Sequence, residues 1–211
     1  MGGDAAGRPP RPTPEELVAR LRAAVPDPTD PAAVARWMRV GLLPHHAVVY
    51  GAPEVHDRLE ALGIAAPFAR YLAGRAAPLG AVPAPVVTAT FHGFGPDAVA
   101  AHLPAVWDVA PPAAVLDATL DGIGALLDRV LGDPDVRAAA GRLGAALAPV
   151  AAAHPTAGRA LAAAWAAVPA TGRPLVDLWL ATTTIRESRG DGHVAVLVAE
   201  GIDPLAAHLL V

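Results

Sequence analysis

The sequence predicts an all-α fold, in which a compact multi-helix domain carries a helix-turn-helix-like corner near its C-terminus. Hydrophobic residues make up 54% of the chain and are mostly alanine, leucine and valine, of which the first two favour helices. Proline or an Asp-Pro pair opens one segment after another, and no series of evenly spaced short strands appears. These observations indicate helices throughout.

The first two helices have the clearest start signals. Thr13 is a predicted N-cap, Pro14 takes the first helical position, and Glu16 follows the cap by three residues, which together form a capping box. Asp30 before Pro31 opens the next helix, "DPAAVARWMRVGLL", in the same manner.

A short helix is then predicted for "PHHAVVY", followed by a break near Gly51 and another helix that ends at Gly63. "PFARYLAGRAAPLG" continues the helical pattern, and a proline-rich join follows it. The segment "APVVTATFHGF" is ambiguous, because its β-branched residues favour a strand whereas its neighbours favour a helix. A helix is the prediction there.

The second half repeats this organisation and ends in the predicted corner. "RPLVDLWLATTTIRES" is a helix, "RGDG" is its turn, and "HVAVLVAEG" is a short second helix, which its apolar residues predict to be buried. The segment "IDPLAAHLLV" ends the chain. Four further helices are predicted before the corner: "GPDAVAAHLPAVW", "PPAAVLDATLDGIGALLDRVLG", "DPDVRAAAGRLGAALAPVAAA" and "PTAGRALAAAWAAV".

The predicted domain organisation is simple. Residues 1–12 are rich in proline and glycine and form a disordered tail, and residues 13–211 form a single all-helical domain. Two subdomains, residues 13–109 and 110–211, are the alternative division.

Composition excludes several classes of protein. The formal net charge of −4 gives no general attraction to nucleic acid or anionic lipid, and the absence of cysteine excludes disulfides and thiolate metal sites. No apolar run approaches the roughly 20 residues that a membrane span needs, and the N-terminus lacks the apolar region of a secretory signal. Nucleotide-binding glycine fingerprints and the GxSxG elbow are also missing. A cytoplasmic protein without a nucleotide cofactor is therefore expected.

The predicted corner has two interpretations. A helix-turn-helix unit that reads DNA needs polar side chains on its second helix, but residues 194–199 here are all aliphatic. An anion site is the better fit, because Asp191 would cap a helix N-terminus beside Arg186 and Arg189, which would clamp a carboxylate or phosphate. The structural alternative is an ion pair of Arg186 or Arg189 with Glu187, Asp191 or a carboxylate elsewhere in the chain.

Histidines supply the remaining candidate chemistry. His46 and Tyr50 are four residues apart and share a helix face, so that an imidazole and a phenol would act together as a general base with its partner or as a metal or haem site. His193 is the second candidate acid, base or metal ligand, and His92 is a candidate ligand contact between two phenylalanines. Arg75, which lies among small apolar residues, needs an anion if it is buried.

The blocks "PHHAVVY", "YLAGRAAPLG", "VVTATFHGF" and "RESRGDGHVAVLVAEG" occur here in this order, and together they resemble a group of actinobacterial proteins of unassigned function that carry a helix-turn-helix label. The likeness runs from about Met38 to the C-terminus and implies a polar site shared by these blocks. His92 and Ser188 depart from the pattern. The residues that match it are His46, Tyr50, Arg75, Arg186, Arg189, Asp191 and His193.

Three functions are consistent with these features. The first is a small-molecule binding protein or enzyme, with His46, Tyr50 and His193 as the catalytic candidates. Its pocket would take an anionic ligand, or haem or a metal ion held by the two histidines. The alternative is a helix-turn-helix transcriptional regulator that binds DNA as a homodimer, and a protein-binding scaffold is the third. The ligand-binding residues in the first hypothesis are Arg75, Arg186, Glu187, Arg189, Asp191 and His92.

Overall fold

The computed structural model describes residues 26–27 and 29–209, so the predicted tail and the Thr13 capping box lie outside the described residues. By internal contacts the chain divides into two units, residues 1–44 and residues 45–211. The predicted division into a tail and one domain stays a prediction. Every residue of the site described below belongs to the second unit.

The described residues are predominantly helical and contain no β-strand, which confirms the all-α prediction. A 3₁₀ turn, Ala77–Leu79, follows the third helix. The helices are α1 Pro31–Tyr50, α2 Pro53–Ala61, α3 Pro67–Ala76, α4 Ala84–Phe91, α5 Pro96–Val109, α6 Pro112–Leu131, α7 Pro134–Ala153, α8 Ala160–Ala166, α9 Pro174–Ala199 and α10 Pro204–Leu209.

Most of these helices begin at a proline, as the sequence predicts. Proline suits the first helical turn because its ring presets φ and its missing N–H would have had no intrahelical partner. Three aspartates precede such prolines and cap the first turn with their side chains. Asp30 Oδ1 accepts hydrogen bonds from two backbone amides at 3.0 Å, and Asp133 and Asp203 do the same at the starts of α7 and α10.

Two local predictions have definite outcomes. The ambiguous segment is helical, as α4 over Ala84–Phe91, which confirms the prediction. The separate short helix at "PHHAVVY" is wrong, because α1 runs without interruption from Pro31 to Tyr50 and includes Pro44. The face shared by His46 and Tyr50 is retained, since both residues lie in its last turns.

Close helix contacts depend on small residues in the second unit. A Cβ built on Gly122 of α6 would lie 2.6 Å from Val55 Cα of α2, so that only glycine permits this contact. The helix α9 packs against α7 and α8, with Gly144 of α7 facing the backbone of Leu178. Trp165 of α8 and Trp179 of α9 meet edge to face at 5.4 Å in the core.

The predicted turn at "RGDG" is wrong. Residues 189–192 lie inside α9, which is a single helix of 26 residues, and the chain turns later, at Gly201, whose φ is +67°. A helix-turn-helix-like corner therefore exists near the C-terminus, but it joins α9 to α10. The residues after the predicted turn are not buried as expected either, since Val196 and Val198 are 58% and 61% exposed.

Among the described residues no single helix has both the length and the apolarity that a membrane span requires. The successive helices α5 and α6 meet these requirements only when they are taken together, and they are bent by 96° at the break.

Candidate functional site

Polar side chains from three helices meet inside the second unit. The last turns of α1, the second half of α3 and the middle of α9 each contribute two of them. We call this group the Arg75–Glu187 cluster; it consists of His46, Tyr50, Tyr71, Arg75, Arg186 and Glu187.

Glu187 is the centre of the cluster and is only 1% exposed. Arg75 donates to both of its carboxylate oxygens, from Nη2 to Oε2 at 2.8 Å and from Nε to Oε1 at 3.3 Å. Arg186 donates from Nη1 to the same Oε1. A fully buried glutamate requires such partners, because an unpaired carboxylate would lose its hydration without replacement. The predicted ion pair of Arg186 with Glu187 is thus present.

Tyr71 connects this ion pair to His46. Arg75 Nη1 donates to Tyr71 Oη at 3.3 Å, and Oη lies 3.1 Å from His46 Nε2. All bonds are satisfied when Tyr71 accepts from the guanidinium and donates its own proton to an unprotonated Nε2. The three side chains therefore form a continuous hydrogen-bonded chain from the imidazole to the buried carboxylate.

Aromatic rings contact Arg75 and the tyrosine–histidine side of the cluster. The Arg75 guanidinium carbon lies 4.4 Å from the centre of the Phe91 ring, a cation–π contact. The Tyr50 ring lies 4.6 Å from the His46 ring and 6.5 Å from that of Trp179. Gly74 lets Tyr50 approach α3, since a Cβ there would lie 3.2 Å from Tyr50 Cε1. The cluster is consequently shielded by apolar surface.

Two donors in the cluster have no acceptor among the described residues. Tyr50 Oη and Arg186 Nε are both buried and without a hydrogen-bond partner. Burial raises the pKa of the Tyr50 hydroxyl above its ordinary value, so this group is a neutral donor. Burial lowers the pKa of the Arg186 guanidinium, and Glu187 opposes this shift only in part. Glu187 shares its charge with Arg75, whose pKa it holds above the ordinary value against the effect of burial.

Asp191 belongs to a different group and does not cap its own helix, which corrects the predicted N-cap. Its Oδ2 accepts from the backbone N–H of Ala162 at 2.9 Å, in the first turn of α8. Arg159, just before α8, donates to the carbonyl of Ser188, whose hydroxyl lies 3.3 Å from His154 Nδ1. These contacts attach α9 to the start of α8.

The remaining predicted site residues lie outside the cluster. His92 ends α4 and its Nε2 lies 3.0 Å from the carbonyl of Ile202, near the turn after α9. His193 is exposed, and Arg189 is half-buried with no ion pair or hydrogen bond to a described residue. Within residues 26–27 and 29–209, no three His, Cys, Asp or Glu side chains are grouped as a metal ion requires. His46 and His193 are therefore not members of such a group, and a metal or haem at these residues stays a prediction.

Sequence reasoning missed Tyr71 and Phe91. Tyr71 precedes Arg75 by four residues in "YLAGR", so the helical prediction for this segment places both on one face, which was the available signal. Phe91 had a signal only for burial, and its position beneath Arg75 depends on how α4 packs.

The buried carboxyl group of Asp191 should make the free energy of unfolding depend on pH. Burial raises its pKa, and backbone donors from Ala162 and Leu161 oppose this only in part. The folded state then holds the proton more tightly than the unfolded chain. The free energy of unfolding should therefore fall as the pH rises from about 3.9, the ordinary value for aspartate, through the raised pKa.

Asp191→Asn should remove this fall, because the amide does not titrate and its oxygen still accepts from Ala162. Urea unfolding over the acid range measures the effect, with the exposed Asp117→Asn as a control that should keep the wild-type slope. An Asp191→Asn curve parallel to that of the wild type would contradict the prediction.

The chain is similar to a family of known proteins. A family described as "Helix-turn-helix family" matches residues 35–211, which include the whole Arg75–Glu187 cluster. No curated protein and no solved structure matches the chain.

Proposed function

The chain belongs to the helix-turn-helix family, and we propose that it binds a small anionic molecule at the Arg75–Glu187 cluster. One observation carries the proposal: Tyr50 Oη and Arg186 Nε are buried donors that have no acceptor in the described part of the chain. A buried donor left unsatisfied costs about 1–3 kcal/mol, so two of them in one cluster are a substantial cost unless a ligand accepts from them.

The charges of the cluster support an anion. Arg75 and Arg186 are positive and Glu187 is paired with both, while Asp191, which accepts from an amide of α8, interacts electrostatically with Arg75 and Glu187. A buried guanidinium is stabilised by an anion that contacts it directly. An anion at the Nε edge of Arg186 would contact the part of this guanidinium that Glu187 does not pair with.

The cationic side of the cluster is less deeply buried than its carboxylate. The side chains of Arg75 and Arg186 are 12% and 13% exposed, whereas that of Glu187 is 1% exposed. A small anion would therefore meet the guanidinium groups first. His46, linked to them through Tyr71, is the group that would exchange a proton with a bound molecule.

Thermal unfolding in a panel of sodium salts tests the proposal. Chloride, nitrate, formate, sulfate and phosphate are compared at one ionic strength, with wild type, Arg186→Gln and the exposed control Arg142→Gln. A ligand at 100 times its Kd stabilises the folded state by about 2.7 kcal/mol. We expect at least one anion to raise the Tm of the wild type and of Arg142→Gln by several degrees more than that of Arg186→Gln. Equal responses in all three proteins would reject the proposal.

The visible spectrum and metal content of the same preparation test the cofactor predictions. A Soret band would support haem, and a stoichiometric metal would support a metal site. The absence of both would leave the anion site as the whole proposal.

DNA binding as a regulator is the second candidate, and the family match favours it. Two arginines that would extend a basic patch are instead paired with carboxylates, Arg129 with Glu54 and Arg137 with Asp128. Fluorescence anisotropy with duplex DNA from upstream of the protein's own gene, at low and at physiological salt, decides this candidate. Because phosphate contacts strengthen as salt is lowered, a lack of binding at low salt would eliminate it.

A further inference from the structure

We infer that the anion is a monocarboxylate, held by the free edge of the Arg186 guanidinium and by the Tyr50 hydroxyl. The inference rests on the proposed function and specifies its ligand class. The inference follows from three features. They are the hydrogen-bond donors of Arg186 that Glu187 does not use, the net charge of the cluster, and the neutral hydroxyl of Tyr50.

One edge of the Arg186 guanidinium, formed by Nε and Nη2, is not used by Glu187. Its Nη1 is used by Glu187, whereas its Nε is buried and has no partner among the described residues. In a guanidinium the Nε–H and one Nη2–H point in parallel, at the spacing of the two oxygens of a carboxylate. A planar carboxylate therefore matches the part of Arg186 that remains free.

The charge of the cluster favours a single negative charge. Arg75 and Arg186 with Glu187 sum to +1, and the carboxylate of Asp191, which interacts electrostatically with Glu187 and Arg75, brings this sum to zero when it is ionised. A monocarboxylate would add one negative charge among the rings of Tyr50, Phe91 and Trp179, where hydration is reduced, whereas a dianion such as phosphate would add two, at a larger desolvation cost.

Tyr50 supplies the second recognition element. Its hydroxyl is buried, has no hydrogen-bond partner within residues 26–27 and 29–209, and interacts electrostatically with both arginines and with Glu187. A carboxylate oxygen has more than one lone pair, so it can accept from Tyr50 while it also accepts from Arg186. A carboxamide cannot do this equally well, since its NH₂ group would face a donor, and a site with unpaired donors rejects such an analogue strongly.

Ligand-observed saturation-transfer NMR tests the inference with three probes of similar size. Acetate carries one negative charge, acetamide is neutral, and methylphosphonate is a dianion above its second ionisation. Each has a single methyl signal, so their Kd values are measured in the same way. The proteins are wild type, Tyr50→Phe, Arg186→Lys, Arg186→Gln and the control Arg142→Gln. Circular dichroism confirms that each variant is folded.

We expect acetate to bind the wild type and Arg142→Gln at least tenfold more tightly than acetamide or methylphosphonate. Tyr50→Phe and Arg186→Gln should each weaken acetate about tenfold, the equivalent of about 1.4 kcal/mol. Arg186→Lys keeps the charge but loses the parallel donors, so it should lose most of the preference for acetate over methylphosphonate.

The contrary outcomes separate the two proposals. If methylphosphonate binds more tightly than acetate and depends on Arg186, the carboxylate inference is overturned and the anion site stands. If acetate binds equally to wild type and Tyr50→Phe, the assigned hydroxyl contact is wrong. If none of the probes binds, or if all bind regardless of Arg186, the inference and the proposed function both fail.

Discussion

Glu187→Ala is expected to lower the free energy of unfolding by about 3–5 kcal/mol, the range for breaking a buried ion pair. The variant leaves Arg75 and Arg186 without their shared carboxylate while their side chains remain only 12% and 13% exposed. The attraction to Glu187 is what offsets the desolvation of both guanidinium groups. Urea unfolding followed by circular dichroism measures the loss.

Asp128→Asn is the matched control, because the Asp128–Arg137 pair is exposed on both sides, at 55% and 49%. Such pairs contribute about 0–1 kcal/mol, so this variant should stay close to the wild type. If Glu187→Ala costs no more than the control, the cluster is hydrated and is not the buried site described above.

The double variant Arg75→Met with Glu187→Leu refines this test. It replaces the best-formed ion pair of the cluster by apolar side chains, and such replacements are often neutral or stabilising. It should therefore be more stable than Glu187→Ala. A double variant as unstable as the single one would show that the cost arises from packing or from Arg186, which both variants leave without its carboxylate, and not from the unpaired charge of Arg75.

Gly122→Ala is expected to have the second largest effect, a loss of about 2 kcal/mol. The added Cβ would lie 2.6 Å from Val55 Cα and 2.7 Å from the Glu54 carbonyl oxygen, so α6 and α2 must separate. Overpacking of this kind costs about 1–3 kcal/mol, and here the obstructing atoms are backbone atoms that no change of side-chain rotamer removes. The same urea experiment measures it.

Gly144→Ala provides the contrast, since it places the same group in the interior of another helix. A Cβ there would lie 3.6 Å from Leu178, an ordinary contact. Alanine is favoured over glycine within a helix by about 0.5–1 kcal/mol, so this variant should be neutral or more stable. Comparable losses in the two variants would mean that helix separation at Gly122 is not what governs stability there.

The helical class and most of the helix starts follow from the local sequence. An aspartate before a proline predicts a helix start because its side chain bonds the first amides of the same turn, and Asp30, Asp133 and Asp203 all do so. The pairing of His46 with Tyr50 on one face is likewise local, since it requires only helical spacing. Interactions within four residues are present in the sequence itself.

The composition of the cluster was only partly predictable. Five of its six members, His46, Tyr50, Arg75, Arg186 and Glu187, were candidate site residues, and Glu187 was also considered as the ion-pair partner of Arg186. Arg75 and Glu187 are 112 residues apart, so their contact depends on how α3 and α9 pack. Arg186 and Arg189 were equivalent in the sequence, and only the orientation of α9 distinguishes the one that contacts Glu187.

Whether the chain turns or stays helical at "RGDG" depends on tertiary packing. Glycine next to charged residues is typical of a turn, yet here it lies within α9, where a Cβ on Gly192 would meet Arg159 Nη1 at 2.8 Å. Asp191 likewise caps α8 and not its own helix. A glycine ends a helix or permits a close contact according to what packs against it. Since those neighbours come from residues about 30 positions away in sequence, local propensity does not contain the answer.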